Sequence, residues 1–311
     1  MNTHTNSENL NESVYKSSKT LVFGLILAAV FSFALGFVLN FSVEDKLISL
    51  IETNVKYNKQ CPTQYKRLDI GYFLPKIRMF DVSVSSRCIK TQSNLKLSRI
   101  ESSFSFPSFS PLGLSLESKI ADKYSKIDIT SVHAVSDHHF KIHSNKINSK
   151  TFAPFLKDFK LAGNFKVDAN IATKKKNLED LAVKVESKDF SIPSQMIQGF
   201  DLPTLNLGNF LLKAKSLSKK KIEIEELVIG KTNSPIRAKI SGTMDLDKYN
   251  MMRSKIDLIA NVKFSASFIE SFSILNLFLD PSKADKQGFY SIQINGTLSN
   301  PGKPKILAPN Q

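Results

Sequence analysis

The densest group of chemically able side chains is "HAVSDHHFKIH", which places His133, His138, His139 and His143 around Asp137. Imidazoles and a carboxylate at short spacing are the usual makings of a transition-metal site. In an extended chain, however, His138 and His139 point to opposite faces, and His139 and His143 lie about 13 Å apart, too far to share one ion. A hairpin within the stretch would change that geometry. Without one, these side chains read as solvated strand and turn positions, and no metal ligands are assigned. Gly230, Lys231 and Thr232 end like a phosphate-binding loop, yet Glu225 stands where the first glycine of that motif belongs. The tripeptide reads more simply as the turn after a strand. The neighbouring carboxylates Glu225 and Glu226, like Glu179 and Asp180, would point to opposite faces of a strand and read as surface charge. No nucleophile elbow, zinc-protease helix or dinucleotide fingerprint occurs in the chain. The expectation is a protein with no catalytic residues and no cofactor. Cys61 and Cys88 are the only two cysteines, 27 residues apart. Joined in an oxidising compartment they would stabilise the fold by about 3 kcal/mol; two buried free thiols are the alternative.

The chain that must position these residues has 311 residues, 41% of them hydrophobic and 23% charged, enough for a sizeable core and not the composition of a disordered protein. Its 43 Lys and Arg against 28 Asp and Glu give a net charge of +15, which favours anionic surfaces such as phospholipid headgroups or envelope glycans. Only six of the basic residues are Arg, and the lysines are scattered among Ser and Asn. That lacks the Arg clusters and interleaved aromatics of a base-reading surface, so nucleic acid is not expected as a partner.

Between Lys19 and Glu44 there is no charged residue. "TLVFGLILAAVFSFALGFVLNF", residues 20–41, would rise about 33 Å as a helix and cover a bilayer core of about 30 Å. A cleaved signal peptide would have an apolar region of only about 7–15 residues and a small-x-small site at its end. Ala34-Leu35-Gly36 fits that poorly, so an uncleaved anchor is expected. Lys16 and Lys19 before the span favour a cytoplasmic tail of residues 1–19, although Lys46 on the far side weakens the asymmetry. No second apolar run of this length follows, which leaves residues 42–311 on the other side of the membrane. Their first stretch, "EDKLISLIETNV", spaces Leu47, Ile48, Ile51 and Val55 as one face of a short amphipathic helix.

Beyond it the period changes to two. Leu161, Gly163, Phe165, Val167, Ala169 and Ile171 alternate with Lys160, Asn164, Lys166, Asp168 and Asn170, the pattern of a strand with one wet face. The same alternation runs through Val82 and Val84, through Leu112 to Leu116, and through Ile127 and Ile129. It returns at Ile222 and Ile224, at Ile236 to Ile240, at Ile256 to Phe264 and at Tyr290 to Leu298. Helical spacing reappears strongly once, in "SASFIESFSILNLFLD", where Phe268, Phe272, Leu275 and Leu279 share a face and Pro281 ends the segment. A second short helix is expected in "PSQMIQGF". A sheet with one apolar face hides it by closing into a barrel, by packing as a sandwich, or by curling into a trough covered by short helices. Periodicity does not choose among the three.

Two stretches carry a family resemblance. "DLPTLNLGNFLLKAKSLSKKKIEIEELVIGKTNSPIRAKISGTMDLD", residues 201–247, resembles the repeat of AsmA-like proteins and of the type II secretion system protein N family. The matching features are Pro203, Leu207-Gly208, a Lys-rich turn, the run from Ile222 to Ile229, and Ile240-Ser241-Gly242. "GFYSIQINGTLSNPGKP", with Gly296-Thr297-Leu298 and Pro301, resembles the finishing strand of the same families. The resemblance implies an AsmA-like architecture: mainly β, a single N-terminal transmembrane helix, then an elongated, curved antiparallel sheet as trough or sandwich with a few short helices. It also implies a periplasmic domain held in a bacterial inner membrane, among the subunits of a type II secretion system. No catalytic residue comes with it. The alternative is lipid handling, in which the apolar faces shelter acyl chains while rim lysines attract phospholipid or another anionic envelope lipid.

Overall fold

The structure, a computed structural model, describes residues 26–30, 32, 43–71, 76–89, 91, 93–105, 107–109, 112–156, 159–175, 177–197, 199–247, 250–272, 275 and 279–308. The expected membrane span, residues 20–41, lies outside these except for positions 26–30 and 32, which are helical. No helix among the described residues is long and apolar enough to cross a membrane. The chain divides into two compact units, Met1–Asn54 and Val55–Gln311. In the first, the helical spacing after the span is realised as a helix over Val43–Ile51, and a π-helical turn, Glu52–Lys56, continues the chain into the second.

The second unit is built on one large antiparallel sheet. Its strands are β1 (Thr63–Gln64), β2 (Arg67–Gly71), β3 (Lys76–Val84), β4 (Leu95–Phe104), β5 (Ser108–Phe109), β6 (Leu112–Ala121), β7 (Lys126–His133), β8 (Asp137–Asn148) and β9 (Asn164–Lys174). They continue as β10 (Asn177–Ile192), β11 (Gln195–Ile197), β12 (Phe200–Leu202), β13 (Leu205–Ser218), β14 (Lys221–Ile229), β15 (Ile236–Asp245), β16 (Lys255–Phe264), β17 (Tyr290–Thr297) and β18 (Lys305–Ile306). The order β1-β3-β4-β6-β7-β8-β9-β10-β13-β14-β15-β16-β17-β18 is a meander in which almost every strand pairs with its neighbours in sequence. β2 and β5 join its margins, and β11 pairs with β12 as a separate ribbon. The path runs from one edge to the other without closing, and no second large sheet faces it among the described residues. Of the three ways to hide an apolar face, the closed barrel is not used among the described residues.

Two expected helices come out differently. "PSQMIQGF" is the β11–β12 hairpin, because Gly199 at φ +86° turns the chain where a helix would have to continue. The late helix is confined to Ala266–Ser271 among the described residues, capped by the Ser265 hydroxyl accepting from the Phe268 N–H. Phe268, Phe272 and Leu275 nevertheless pack together against the sheet, as their spacing implies.

Among the β-bulges of the sheet, three keep the alternation in phase. β8 gains a residue between Ser144 and Ile147, β10 between Ser187 and Phe190, and β14 between Ile224 and Leu227. Each extra residue is polar, so the apolar side chains on both sides of the bulge stay on one face. In β14 the bulge falls on Glu225 and Glu226. Both reach the lysine side, Glu225 to Lys215 at 2.5 Å and Glu226 to Lys213 at 3.2 Å, so the expectation that they face opposite ways is corrected. Gly242 in β15 carries φ +145°, and a Cβ there would meet the Asp257 carbonyl oxygen of β16 at 2.2 Å. The close approach of β15 and β16 requires glycine at that position.

Candidate functional site

The cross-strand register defines the apolar face. From β6 to β17 it collects, among others, Ile120, Ile129, Ile142, Ile171, Val183 and Ile224. Most of these side chains are neither buried nor fully exposed. Among the described residues, a second layer covers one end. There Phe165, Phe190, Leu205, Leu207 and Phe268 form the buried cluster, with Phe152 and Phe272 against it. The rings meet edge to face, Phe152 to Phe165 at 5.5 Å and Phe165 to Phe210 at 5.8 Å, the arrangement aromatic quadrupoles favour. At the opposite ends of the strands Phe104, Leu112, Leu114 and Val135 are exposed. Among the described residues the apolar face is therefore closed at one end, half-buried along β7 to β16 with Ala169, Ile222, Ile256 and Ala260 buried, and exposed at the margin of β4 and β6.

The other face is wet and laced with ions. Glu101 receives Lys76 at 2.6 Å and Arg78 at 3.5 Å across β3 and β4, and His143 meets Asp168 at 2.5 Å across β8 and β9. Lys215 bridges Glu223 and Glu225, and Lys239 reaches Glu226. The hydrogen bond from Lys76, with Arg99 and Arg78 nearby, holds the Glu101 carboxyl below the usual carboxylate range, and the bond from His143 does the same for Asp168. Partial burial pushes Asp189 upward, but the N–H and amide of Asn164 and the Ser187 hydroxyl donate to it and outweigh that effect.

Such carboxylates bind protons more readily in the unfolded chain. Their contribution is complete above the ordinary carboxylate pKa of about 4 and is lost as pH falls through their lowered values. Urea midpoints are expected to be flat between about pH 5 and 7 and to fall below about pH 4. Glu101→Gln should make that fall shallower; an unchanged slope would remove Glu101 from the account.

The residues singled out in the sequence are distributed across this frame. Cys61 and Cys88 are joined in a disulfide with Cα atoms 4.7 Å apart, tying the segment before β1 to the short helix Ser86–Ile89 after β3. Gly230 to Thr232 lie in the turn between β14 and β15, where the Lys231 N–H bonds the Leu207 carbonyl. No phosphate cradle is formed by such a turn. The histidines split. His139 and His143 lie on the wet face, whereas the β7–β8 hairpin sets His133 directly opposite His138 on the apolar one. Asp137 is turned to Lys174 at 3.8 Å, and no group of three metal-ligating side chains occurs among the described residues.

Apart from Tyr290, the register places no other titratable side chain on the apolar face from β6 to β17 among the described residues. No protein-family model, curated protein or solved structure matches this chain. Its chemistry is thus read from its own geometry. Among the described residues that geometry offers a wide apolar surface, a wet charged surface behind it, and two imidazoles at the less covered end, one of them 3.0 Å from the Ser131 hydroxyl. The pairing of His133 with His138 was the feature that spacing alone missed. Its signal was the polar Ser136-Asp137 pair between them, which marks a turn and so fixes the register.

Proposed function

We propose that this protein handles lipid in a bacterial cell envelope: anchored in the inner membrane through residues 20–41, it shelters acyl chains on the apolar face of its periplasmic sheet. The observation that carries this reading is the half-covered face itself. An antiparallel sheet with one apolar side ordinarily buries it, and an apolar face left only half-buried over many strands, with Phe104, Leu112 and Leu114 exposed at its margin, suits a binding surface. The net charge of +15 suits anionic headgroups. The Cys61–Cys88 disulfide suits an oxidising compartment. The exposed Ile26, Leu27 and Val30 suit a helix surrounded by hydrocarbon.

Mass spectrometry of organic extracts from the purified full-length protein tests the reading. Ile142, paired with Ile129 and Ala169 across its neighbours, occupies the middle of the face. Ile142→Asp is expected to lower the phospholipid carried per chain several-fold relative to the wild type, while Lys141→Asp on the wet face leaves it unchanged. Equal lipid in all three proteins would defeat the proposal, because lipid held around the anchor alone does not respond to residue 142.

A second reading, an assembly subunit of a type II secretion system, draws on the sheet edge. β18 is the last strand of the order and only two residues long, and its outer side is edge backbone of the kind that accepts an added strand. Mild crosslinking in cells followed by purification distinguishes the two: recovery of secretion subunits in stoichiometric yield supports the second, and their absence counts against it.

A further inference from the structure

His133 and His138 face each other at a non-hydrogen-bonded position of the β7–β8 hairpin, since the turn bond runs from the Ala134 N–H to the Asp137 carbonyl, one pair further on. Positions of this type bring opposed side chains closest. Their Nδ1 atoms stand 3.3 Å apart, with ring centroids 5.3 Å apart and planes tilted by 54°. The Nε2 of His133 lies 3.0 Å from the buried Ser131 hydroxyl, and the edge of the Phe140 ring packs against the same imidazole at 5.6 Å.

Two nitrogens bound to one tetrahedral zinc-class ion at about 2.0–2.1 Å each are separated by about 3.4 Å. The spacing of the two Nδ1 atoms matches that span and sits at the long end for a hydrogen bond between the rings. Ser131 supplies a second, separate element. Its oxygen can accept from Nε2–H of His133, which fixes the tautomer that leaves the Nδ1 lone pair free, the role played by partners of metal-binding histidines. Phe140 limits the rotation of the ring and keeps that lone pair aimed at its counterpart.

We propose that His133 and His138 hold a divalent transition-metal ion of the zinc class through their Nδ1 atoms, at the uncovered end of the apolar face, with Ser131 as a positioning residue. Imidazole ligands select zinc, nickel and copper over magnesium and calcium, which require oxygen. No third histidine, cysteine or carboxylate converges there among the described residues. The two remaining positions of the ion are open to water or to an anionic oxygen. The site does not depend on what the apolar face carries.

The test is a Zn2+ titration by calorimetry, and a Co2+ titration by visible absorption, on the full-length protein in detergent. Both use a His4→Ala background so that the amino-terminal segment contributes no imidazole. One ion per chain is expected, with the intense absorption of tetrahedral Co2+. Replacing His133 or His138 by Asn, two variants on different strands, should each weaken binding by at least about tenfold. Ser131→Ala should weaken it less, and His139→Asn, on the wet face, should bind as the wild type does. Far-UV circular dichroism confirms that each variant keeps its sheet. Absence of binding up to about 1 mM Zn2+ would overturn the proposal. Retention of wild-type affinity in either folded single variant, or loss in His139→Asn, would overturn it as well.

Discussion

Replacing Phe165 by alanine is expected to lower the stability of the sheet by about 3–5 kcal/mol, the range for removing a buried aromatic side chain. Phe165 is 4% exposed and touches the rings of Phe152, Phe190 and Phe210, so three aromatic contacts disappear with it. The surrounding side chains come from β10, β13 and the helix Ser149–Phe152, and the sheet register restrains them from collapsing into the space. Denaturant unfolding followed by tyrosine fluorescence and circular dichroism measures the loss. Because few other large side chains in the unit are fully buried, the effect should be much greater than that of a change on the open part of the face, such as Ile171→Ala. A loss below about 1 kcal/mol would mean that the aromatic cluster is not the principal core.

The second large effect is expected from removing the disulfide. Cys61→Ser with Cys88→Ser releases a loop closed across a sequence separation of 27 residues, and the chain-entropy account sets the cost at about 3 kcal/mol. Its location adds a local consequence. β1 is only two residues long and pairs with β3 at Thr63 and Gln64, beyond the longer pairing of β2 with the same strand, so the disulfide clamps the far end of that edge. Hydrogen exchange should quicken most at Thr63, Gln64 and their partners Ser83 and Val84, and much less in β13 to β16. Uniform acceleration along the sheet would show that the disulfide acts on global stability alone.

The alternation of side chains was sufficient to place most of the strands, because an exposed wet face and an apolar face impose a period of two whatever the sheet does at its margins. "IEIEELVI" shows the boundary of that signal. Ile222 and Ile224 are out of phase with Leu227 and Ile229, and only the bulge at Glu225–Glu226 returns all four to one face. That phase slip is the mark of the bulge. "PSQMIQGF" was misread for a related reason: three strand residues on each side of a turn contain too few alternations to outweigh a helical spacing of Met196, Ile197 and Phe200. Whether the sheet would close, pair with another or remain uncovered depends on contacts between strands far apart in sequence, and no local pattern encodes them. The candidate site was the least legible part. His133 and His138 are five residues apart, a separation that means nothing in a straight strand and direct contact in a hairpin whose turn lies between them.

The nearest-neighbour order of the strands also governs how the protein can come apart and how it can change length. Since each hairpin bonds mainly to the one before and the one after, a pull on the C-terminus should unzip the sheet strand by strand, as a staircase of small force peaks. Duplication or deletion of a hairpin would lengthen or shorten the oily surface without rethreading anything else, a freedom that sheets with crossover connections lack.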